Sequence, residues 1–346
     1  MMEVTDRYFR LMLRWISREV HLYTEMVHAR AVLADPARFL SYAPEEHPVI
    51  LQLGGDSPAD LAEAAKLGAQ FGYDEINLNC GCPSDRVQRG GFGACLMADP
   101  DLVGRCISAM SSAGIPVTVK HRIGISDSAQ NLTASYAKLR HFVQTLFEAG
   151  CTRFIVHARL AILGGLSPAE NRSVPPLNYE MVQELVSDFP DAAFEINGGI
   201  RTIAECEPLM NQFDGVMIGR AVRDNPMMLA GADIFLENFR AGSTSEVGSR
   251  PSAGNTPVKS RDPFEIVQTM AHHIEESPDM AHLVARHMLN VFHSYPGARA
   301  YRRFISENLS ETEHKDVPDL LREALKRIEK KSEQSGTTAP LQNTAA

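Results

Sequence analysis

Three of the chain's six cysteines lie within sixteen residues, from Cys80 to Cys95, in the stretch NLNCGCPSDRVQRGGFGACLM. A C-x-C pair beside a run of glycines could be half of a metal site, a redox pair, a phosphate-binding loop or one working thiol with two neighbours. A zinc site needs four ligands at characteristic spacing, and no C-x-x-C or H-x-x-x-H follows. The glycines also lack the G-K-[ST] ending of a Walker-type phosphate loop.

Cys82 differs from the other cysteines in its surroundings. It precedes Pro83 and follows Asn79 by three residues, in a loop at the predicted end of a strand, which is placement for a functional thiol. Cys95 and Cys106 lie among Leu, Met, Ile and Ala, so we expect them to pack in the core. The sequence therefore predicts chemistry for Cys82 alone.

Short β-branched runs alternate with longer helical patterns between residues 22 and 219. The helical patterns often begin at a Ser or Asp cap and end at Gly or Pro. This order predicts an α/β fold with a parallel sheet, and seven strands over about 200 residues favour a (β/α)8 TIM barrel. The eighth strand would lie before Met1, because of either a truncated reading frame or an incomplete first position. The candidate strands are LYTEMV (22–27), PVILQL (48–53), EINLN (75–79), PVTVKH (116–121), RFIVHA (153–158), AFEING (193–198) and GVMIG (215–219), and the helical patterns are 57–72, 98–114, 132–150 and 177–190.

Composition changes sharply after the predicted barrel. We predict a catalytic barrel domain at 1–240, a flexible Gly/Pro/Ser-rich linker or insert at 241–262, a helical domain at 263–331 and a disordered tail at 332–346. In the last predicted helix, one face is apolar, as packing in a bundle requires. Its residues are Val317, Leu320, Leu321, Ala324, Leu325 and Ile328.

The chain has 346 residues and a formal net charge of -9. It contains neither a run of eighteen apolar residues nor the pattern of a signal peptide, so we expect a cytoplasmic protein with reduced thiols. The net charge argues against a protein coated in positive charge, but a local basic face is enough to bind nucleic acid. Such clusters occur at GARAYRR (297–303) and ALKRIEKK (324–331).

Catalytic residues of such barrels lie at the C-terminal ends of the strands, where Gln52, Lys120 and His157 are expected. Lys120 could be a Schiff-base nucleophile, a charge partner for a cofactor or a solvated lysine, and His157 could simply satisfy a hydrogen bond in the core. An amide, a cation and an imidazole on one rim suit a planar ring with carbonyls and ring nitrogens. Flavin chemistry also benefits from a cation near the N1/O2 edge, which becomes negative on reduction.

Two glycine-containing loops follow the last two predicted strands. Phosphate often binds at this place in a barrel, through backbone N–H groups. INGGI (196–200) and IGRA (218–221) supply the glycines, and Arg220 adds a fixed positive charge. Taken singly, these glycines could simply form tight turns, but together the loops predict a phosphate-bearing group, as in flavin mononucleotide (FMN).

These residues resemble the tRNA-dihydrouridine synthases, in particular their A-type subfamily. The resemblance extends from Met1 to Lys331, excluding the linker. It rests on the cysteine stretch together with VKHRIG (119–124), IVHARLAILGGLSPAENRSVPPLNY (155–179), INGG (196–199) and GVMIGRA (215–221).

The resemblance implies an FMN enzyme that reduces the C5–C6 double bond of D-loop uridines in tRNA, at positions 20 and 20a by analogy with the subfamily, with NADPH as electron donor. Hydride would pass from the flavin to C6, and a thiol with an ordinary pKa of about 8.5 would still hold the proton that C5 needs. We expect a monomer that binds tRNA and requires no metal and no membrane. By position, Cys82 matches the proton donor, the flavin ligands are Met1, Gln52, Lys120, His157, Asn197, Gly198, Gly199, Gly219 and Arg220, and the tRNA contacts are Asn79, Arg122, Arg172, Arg299 and Arg302.

Three other functions stay open at this point. A flavin enzyme acting on a free pyrimidine would need no basic helical domain. An aldolase would form a Schiff base on Lys120 that borohydride traps. An RNA-binding module without catalysis would bind tRNA and leave its dihydrouridine content unchanged.

Overall fold

The computed structural model of the chain describes residues 1–242, 262–277 and 280–335, and for 329–335 it describes the backbone alone. The predicted linker therefore lies outside the described residues except for 241, 242 and 262. The predicted tail lies outside them from residue 336 onward. No helix in the described part of the chain is long and apolar enough to cross a membrane.

All seven predicted strands form one curled parallel sheet of a TIM-barrel-like α/β domain, with β1 and β9 at its two edges. Its order is β1-β2-β3-β4-β6-β8-β9, so each strand pairs with the next long strand in the sequence. Two short strands, β5 and β7, pair separately in the loops that follow β4 and β6. The strands are β1 Leu22–His28, β2 Val49–Gly54, β3 Glu75–Cys80, β4 Val117–Arg122, β5 Ile125–Ser126, β6 Arg153–His157, β7 Ala161–Ile162, β8 Ala193–Asn197 and β9 Gly215–Met217.

Helices connect the strands where the sequence predicts them. Several begin at a side chain that accepts a backbone N–H of the first turn, as Ser57 does from Asp60 and Asp99 from Leu102. These caps satisfy donors that have no partner within the helix. The α-helices are α1 Arg7–Ile16, α2 Ala29–Ala34, α3 Pro36–Leu40, α4 Pro58–Gln70, α5 Asp85–Arg89, α6 Pro100–Met110, α7 Tyr136–Glu148, α8 Tyr179–Asp188, α9 Cys206–Met210, α10 Arg220–Asp224, α11 Ala232–Gly242, α12 Pro263–Glu276, α13 Ala281–Met288, α14 Ala298–Asn308 and α15 Val317–Ser335.

Two compact units make up the chain. The sheet unit contains Met1–Arg7 and His21–Gly219, whereas the helical unit contains Tyr8–Val20 and the described residues from Arg220 onward. These units differ from the predicted domains in two places, because the helical unit begins at residue 220 and includes most of α1. Within it, the Phe9 ring lies 5.2 Å from the ring of His287, and the Asp233 carboxylate accepts the backbone N–H of Arg18 at 2.8 Å.

Candidate active site

The loop that follows β3 is held by the last polar residue of that strand. The Asn79 side-chain oxygen accepts the backbone N–H groups of Gly81 and Cys82, each at 3.0 Å. The Cys82 carbonyl accepts from Ala94 at 2.9 Å, and a side chain at Gly93 would collide with that carbonyl, since a Cβ would lie 2.6 Å away. The glycine run therefore allows the chain to pass directly under the backbone of Cys82.

The amide of Gln52 lies between two asparagines of β3. Its Nε2 donates to Asn77 Oδ1 at 2.9 Å, and its Oε1 accepts from Asn79 Nδ2 at 2.9 Å. The structure thus brings Gln52 and Asn79 together at the C-terminal end of the sheet. Hydrogen bonds within the chain use both of their carboxamides.

Lys120 lies at the same end of the sheet, in β4. Its Nζ donates to Asn197 Oδ1 at 3.1 Å, and Asn197 Nδ2 donates to the Met217 carbonyl at 2.7 Å. Burial, and to a lesser extent the charge of Arg122, lowers the pKa of Lys120 to about 7, although Cys82 and Glu195 oppose this change. This ammonium group has lost most of its hydration, so an anionic partner would interact with it strongly.

His157 ends β6 and lies against the glycines that follow β8. Gly198 and Gly199 have φ of +115° and +82°, which favours glycine. A Cβ on Gly198 would lie 2.6 Å from Cδ2 of His157, and one on Gly199 would lie 2.6 Å from Leu177. Both positions therefore require glycine, because their φ is positive and the space that a Cβ would occupy is filled by His157 and Leu177.

Arg122 is buried and joins three loops. Its Nε donates to the Gly81 carbonyl at 3.2 Å, and its Nη1 donates to the carbonyls of Leu160 and Asn171 at 3.1 and 2.9 Å. Asn171 precedes Arg172, which is half-buried in a short 3-10 helix. The expected tRNA contact of Arg122 stays a prediction, and in this structure its guanidinium holds the loop of Cys82.

The remaining predicted site residues lie elsewhere along the chain. A Cβ on Gly219 would lie 3.8 Å from the sulfur of Met1, so these two residues are near one another. Arg220 is exposed and begins α10 in the helical unit. Arg299 and Arg302 are on α14 of that unit, exposed and half-buried respectively.

Exposure separates the six cysteines, all of which are free thiols. Cys82 and Cys95 are partly exposed, and the other four are buried. Burial raises the pKa of Cys106 to about 11 and that of Cys151 to about 12, so these thiols stay protonated and enclosed. Within the described residues, no group of three or more His, Cys, Asp and Glu side chains could hold a metal ion.

Sequence reasoning missed the buried polar residues of β3 that precede Asn79 and support the site. Glu75 and Asn77 alternate with Ile76 and Leu78 in β3, and all four are buried. A polar residue at every second position of a buried strand was the signal, since side chains two apart lie on the same face.

Comparison with known proteins gives consistent relatives. A protein of Synechocystis sp. named tRNA-dihydrouridine(20/20a) synthase is 48% identical over 313 residues, covering 89% of this chain and 87% of its own length. Proteins with the same name are 46% identical over 309 residues in Shewanella oneidensis (89% of this chain, 87% of that protein) and 47% identical over 335 residues in Salmonella typhimurium (95% and 93%). The dihydrouridine synthase (Dus) family model matches residues 1–329, and the chain belongs to this family.

Proposed function

We propose that this protein is an FMN-dependent tRNA-dihydrouridine synthase that uses NADPH to reduce D-loop uridines, at positions 20 and 20a. The observation that carries the proposal is the loop of Cys82, a partly exposed thiol held by Asn79 and Arg122 at the strand ends where Lys120, Asn197 and His157 lie. The names of the relatives support the choice of substrate.

Reduction of uracil needs a hydride at C6 and a proton at C5. C6 is electrophilic because its double bond is conjugated to the C4 carbonyl, and the hydride would come from FMN reduced by NADPH. Cys82 gives its proton to C5 as a general acid. The Cys82 thiol lies 3.6 Å from the Ser84 hydroxyl, which orients it, while the hydrogen bonds from Asn79 and Arg122 fix the backbone that carries it.

The polar groups at the strand ends fit FMN. Lys120 would place a positive charge near the N1/O2 edge of the flavin, where reduction puts negative charge, and the backbone N–H groups of Gly198 and Gly199 would bind the phosphate. Asn197 keeps the Lys120 ammonium oriented. We assign cofactor binding to Met1, Gln52, Lys120, His157, Asn197, Gly198, Gly199, Gly219 and Arg220.

A uridine in folded tRNA must leave its stack to reach a site at the end of a barrel. Backbone contacts that grip the tRNA make this possible, and we assign them to the arginines of α14, Arg299 and Arg302, with Asn79 and Arg172 near the base, while Arg122 holds the loop of Cys82. Replacing both α14 arginines with Ala should weaken tRNA binding and reduce the slope of log K against log salt by about 1 to 2. Arg240→Ala is the matched control, since Arg240 is exposed in the same unit and pairs with Glu19 at 2.9 Å.

The purified protein should show the absorbance of bound flavin and form dihydrouridine in unmodified tRNA only with NADPH. Cys82→Ala should lose most of this turnover, whereas Cys95→Ala, which removes the other partly exposed thiol, should retain it. Wild-type turnover in Cys82→Ala would refute the assigned proton donor. A colourless protein that binds tRNA without modifying it would refute the proposed reaction.

A further inference from the structure

One face of β3 is lined with polar side chains along its length. Glu75, Asn77 and Asn79 occupy every second position, and their exposed fractions are 4%, 0% and 9%. Residues two apart in a strand lie on the same face. Buried polar groups must find partners, and those of this face are joined by one continuous chain of side-chain hydrogen bonds.

The lower half of this chain passes through β4. The Thr118 hydroxyl donates to Glu75 Oε1 at 2.6 Å and accepts from Asn77 Nδ2 at 2.9 Å. Because Thr118 is also buried, water is not a ready substitute for either partner.

The upper half continues through β2 to the loop of Cys82. Gln52 donates to Asn77 and accepts from Asn79, whose side-chain oxygen accepts the Gly81 and Cys82 N–H groups. Five side chains therefore connect the N-terminal end of β3 to the backbone of the cysteine loop.

The groups at the two ends of this hydrogen-bond chain determine which side chain donates and which accepts at every step. An ionised carboxylate only accepts hydrogen bonds, and a backbone N–H only donates them. Glu75 therefore requires Thr118 to donate, which leaves Thr118 to accept from Asn77. The same logic orients Gln52 and Asn79, so that Asn79 presents its oxygen to the loop.

Arg153 holds the carboxylate at the origin of the chain. Its Nη1 lies 2.9 Å from Glu75 Oε2, and its Nε lies 2.7 Å from Glu195 Oε1. Burial raises the pKa of Glu75, while the hydrogen bond from Thr118 and the charge of Arg153 oppose that change. Each Glu75 oxygen thus has its own donor.

We propose that Glu75 is a positioning residue for proton delivery, acting through Thr118, Asn77, Gln52 and Asn79 to fix the loop of Cys82. The role of the loop rests on the proposed function, whereas the connection between Glu75 and the loop does not. These hydrogen-bonded side chains orient the loop of Cys82 and do not contact a reacting atom.

Thr118→Val tests the connection with the least disturbance, because valine keeps the shape and removes the hydroxyl. Thr118→Ser is its matched control, since serine keeps the hydroxyl. Glu75→Gln is the second variant: its single carbonyl oxygen can face Arg153 or Thr118, but not both. Thermal unfolding shows whether each variant folds.

Two measurements on the full-length protein report on the loop. The first is the rate at which iodoacetamide alkylates Cys82, followed by peptide mass spectrometry with Cys95 as the internal reference. The second is kcat and KM for dihydrouridine formation in tRNA. We expect Thr118→Val and Glu75→Gln to alkylate Cys82 severalfold faster, and to lower kcat roughly tenfold with KM nearly unchanged. Thr118→Ser should behave as wild type in both measurements.

Wild-type alkylation of Cys82 in folded Thr118→Val and Glu75→Gln would overturn the inference, even if kcat fell. Equal acceleration at Cys82 and Cys95 would also overturn it, because it would indicate general loosening. If the wild-type protein forms no dihydrouridine, the proposed function fails, and the alkylation rates still decide whether Glu75 controls the loop.

Discussion

The side-chain oxygen of Asn79 accepts the backbone N–H of Cys82 at 3.0 Å, and its Nδ2 donates to Gln52 at 2.9 Å. Asn79→Ala removes both interactions and frees the loop, so we expect kcat to fall about tenfold or more. Asn79→Asp keeps an oxygen for the loop and places a second oxygen against Gln52. Because this breaks the hydrogen bond to Gln52, alkylation of Cys82 should be faster than in wild type, but slower than in Asn79→Ala, where the loop also loses its acceptor.

A different result is expected if Asn79 acts mainly on the tRNA and not on the loop. If its chief role is contact with tRNA, both variants should raise KM and leave alkylation of Cys82 unchanged. Steady-state kinetics and alkylation on the same samples distinguish the two roles.

Arg122 could hold the loop of Cys82 or contact the tRNA, and a substitution can distinguish these roles. Arg122→Lys keeps the positive charge, but one ammonium cannot replace the planar donors that reach three carbonyls. We expect the free energy of unfolding to fall by about 1–3 kcal/mol and kcat to fall, with KM for tRNA nearly unchanged. Denaturant unfolding and kinetics measure these effects.

Arg89→Lys is the control for this substitution. Arg89 is exposed in α5 and its Nε donates to the Asp85 carbonyl at 3.3 Å, so its replacement should change stability little. A higher KM and a weaker salt dependence for Arg122→Lys, with stability intact, would instead support a direct contact with phosphate.

Much of the fold follows from local signals, and much of the site does not. Strands and helices were predicted because alternation and caps such as Ser57 act within a few residues. The predicted strand ends also placed Gln52, Lys120 and His157 at the C-terminal end of the sheet, where they lie, and their roles stay predictions. The chain from Glu75 to Asn79 and the clamp of Arg122 depend on which strands and loops are neighbours, so pattern alone could not assign their partners. The grouping of Phe9 with His287 likewise depends on tertiary packing.

Lys120 should make stability depend on pH in a defined direction. Burial lowers its pKa from 10.5 to about 7, so the folded protein releases this proton near pH 7 and the unfolded chain holds it until about pH 10.5. Between these values the unfolded chain binds more protons, and raising the pH therefore favours the folded state. Below pH 7 the contribution is constant.

Lys120→Met removes this dependence. The free energy of unfolding of Lys120→Met, measured relative to that of wild type, should fall by roughly 1–3 kcal/mol as the pH rises from about 7 to about 10. Denaturant titrations of both proteins across this range measure the difference. A difference that does not change with pH would contradict a lowered pKa for Lys120.

A comparison of Gly198→Ala with Gly150→Ala distinguishes backbone strain from damage to the proposed cofactor site. Both have positive φ, +115° and +100°, but a Cβ on Gly198 would lie 2.6 Å from Cδ2 of His157, whereas nothing lies within 4 Å of one on Gly150. Each Gly→Ala change should cost about 1–3 kcal/mol of stability through strain. Gly198→Ala alone should also displace His157 and weaken FMN binding about tenfold or more. Fluorescence titration of FMN into flavin-free protein measures the affinity, and equal losses in both variants would show that strain, not the site at Gly198, controls binding.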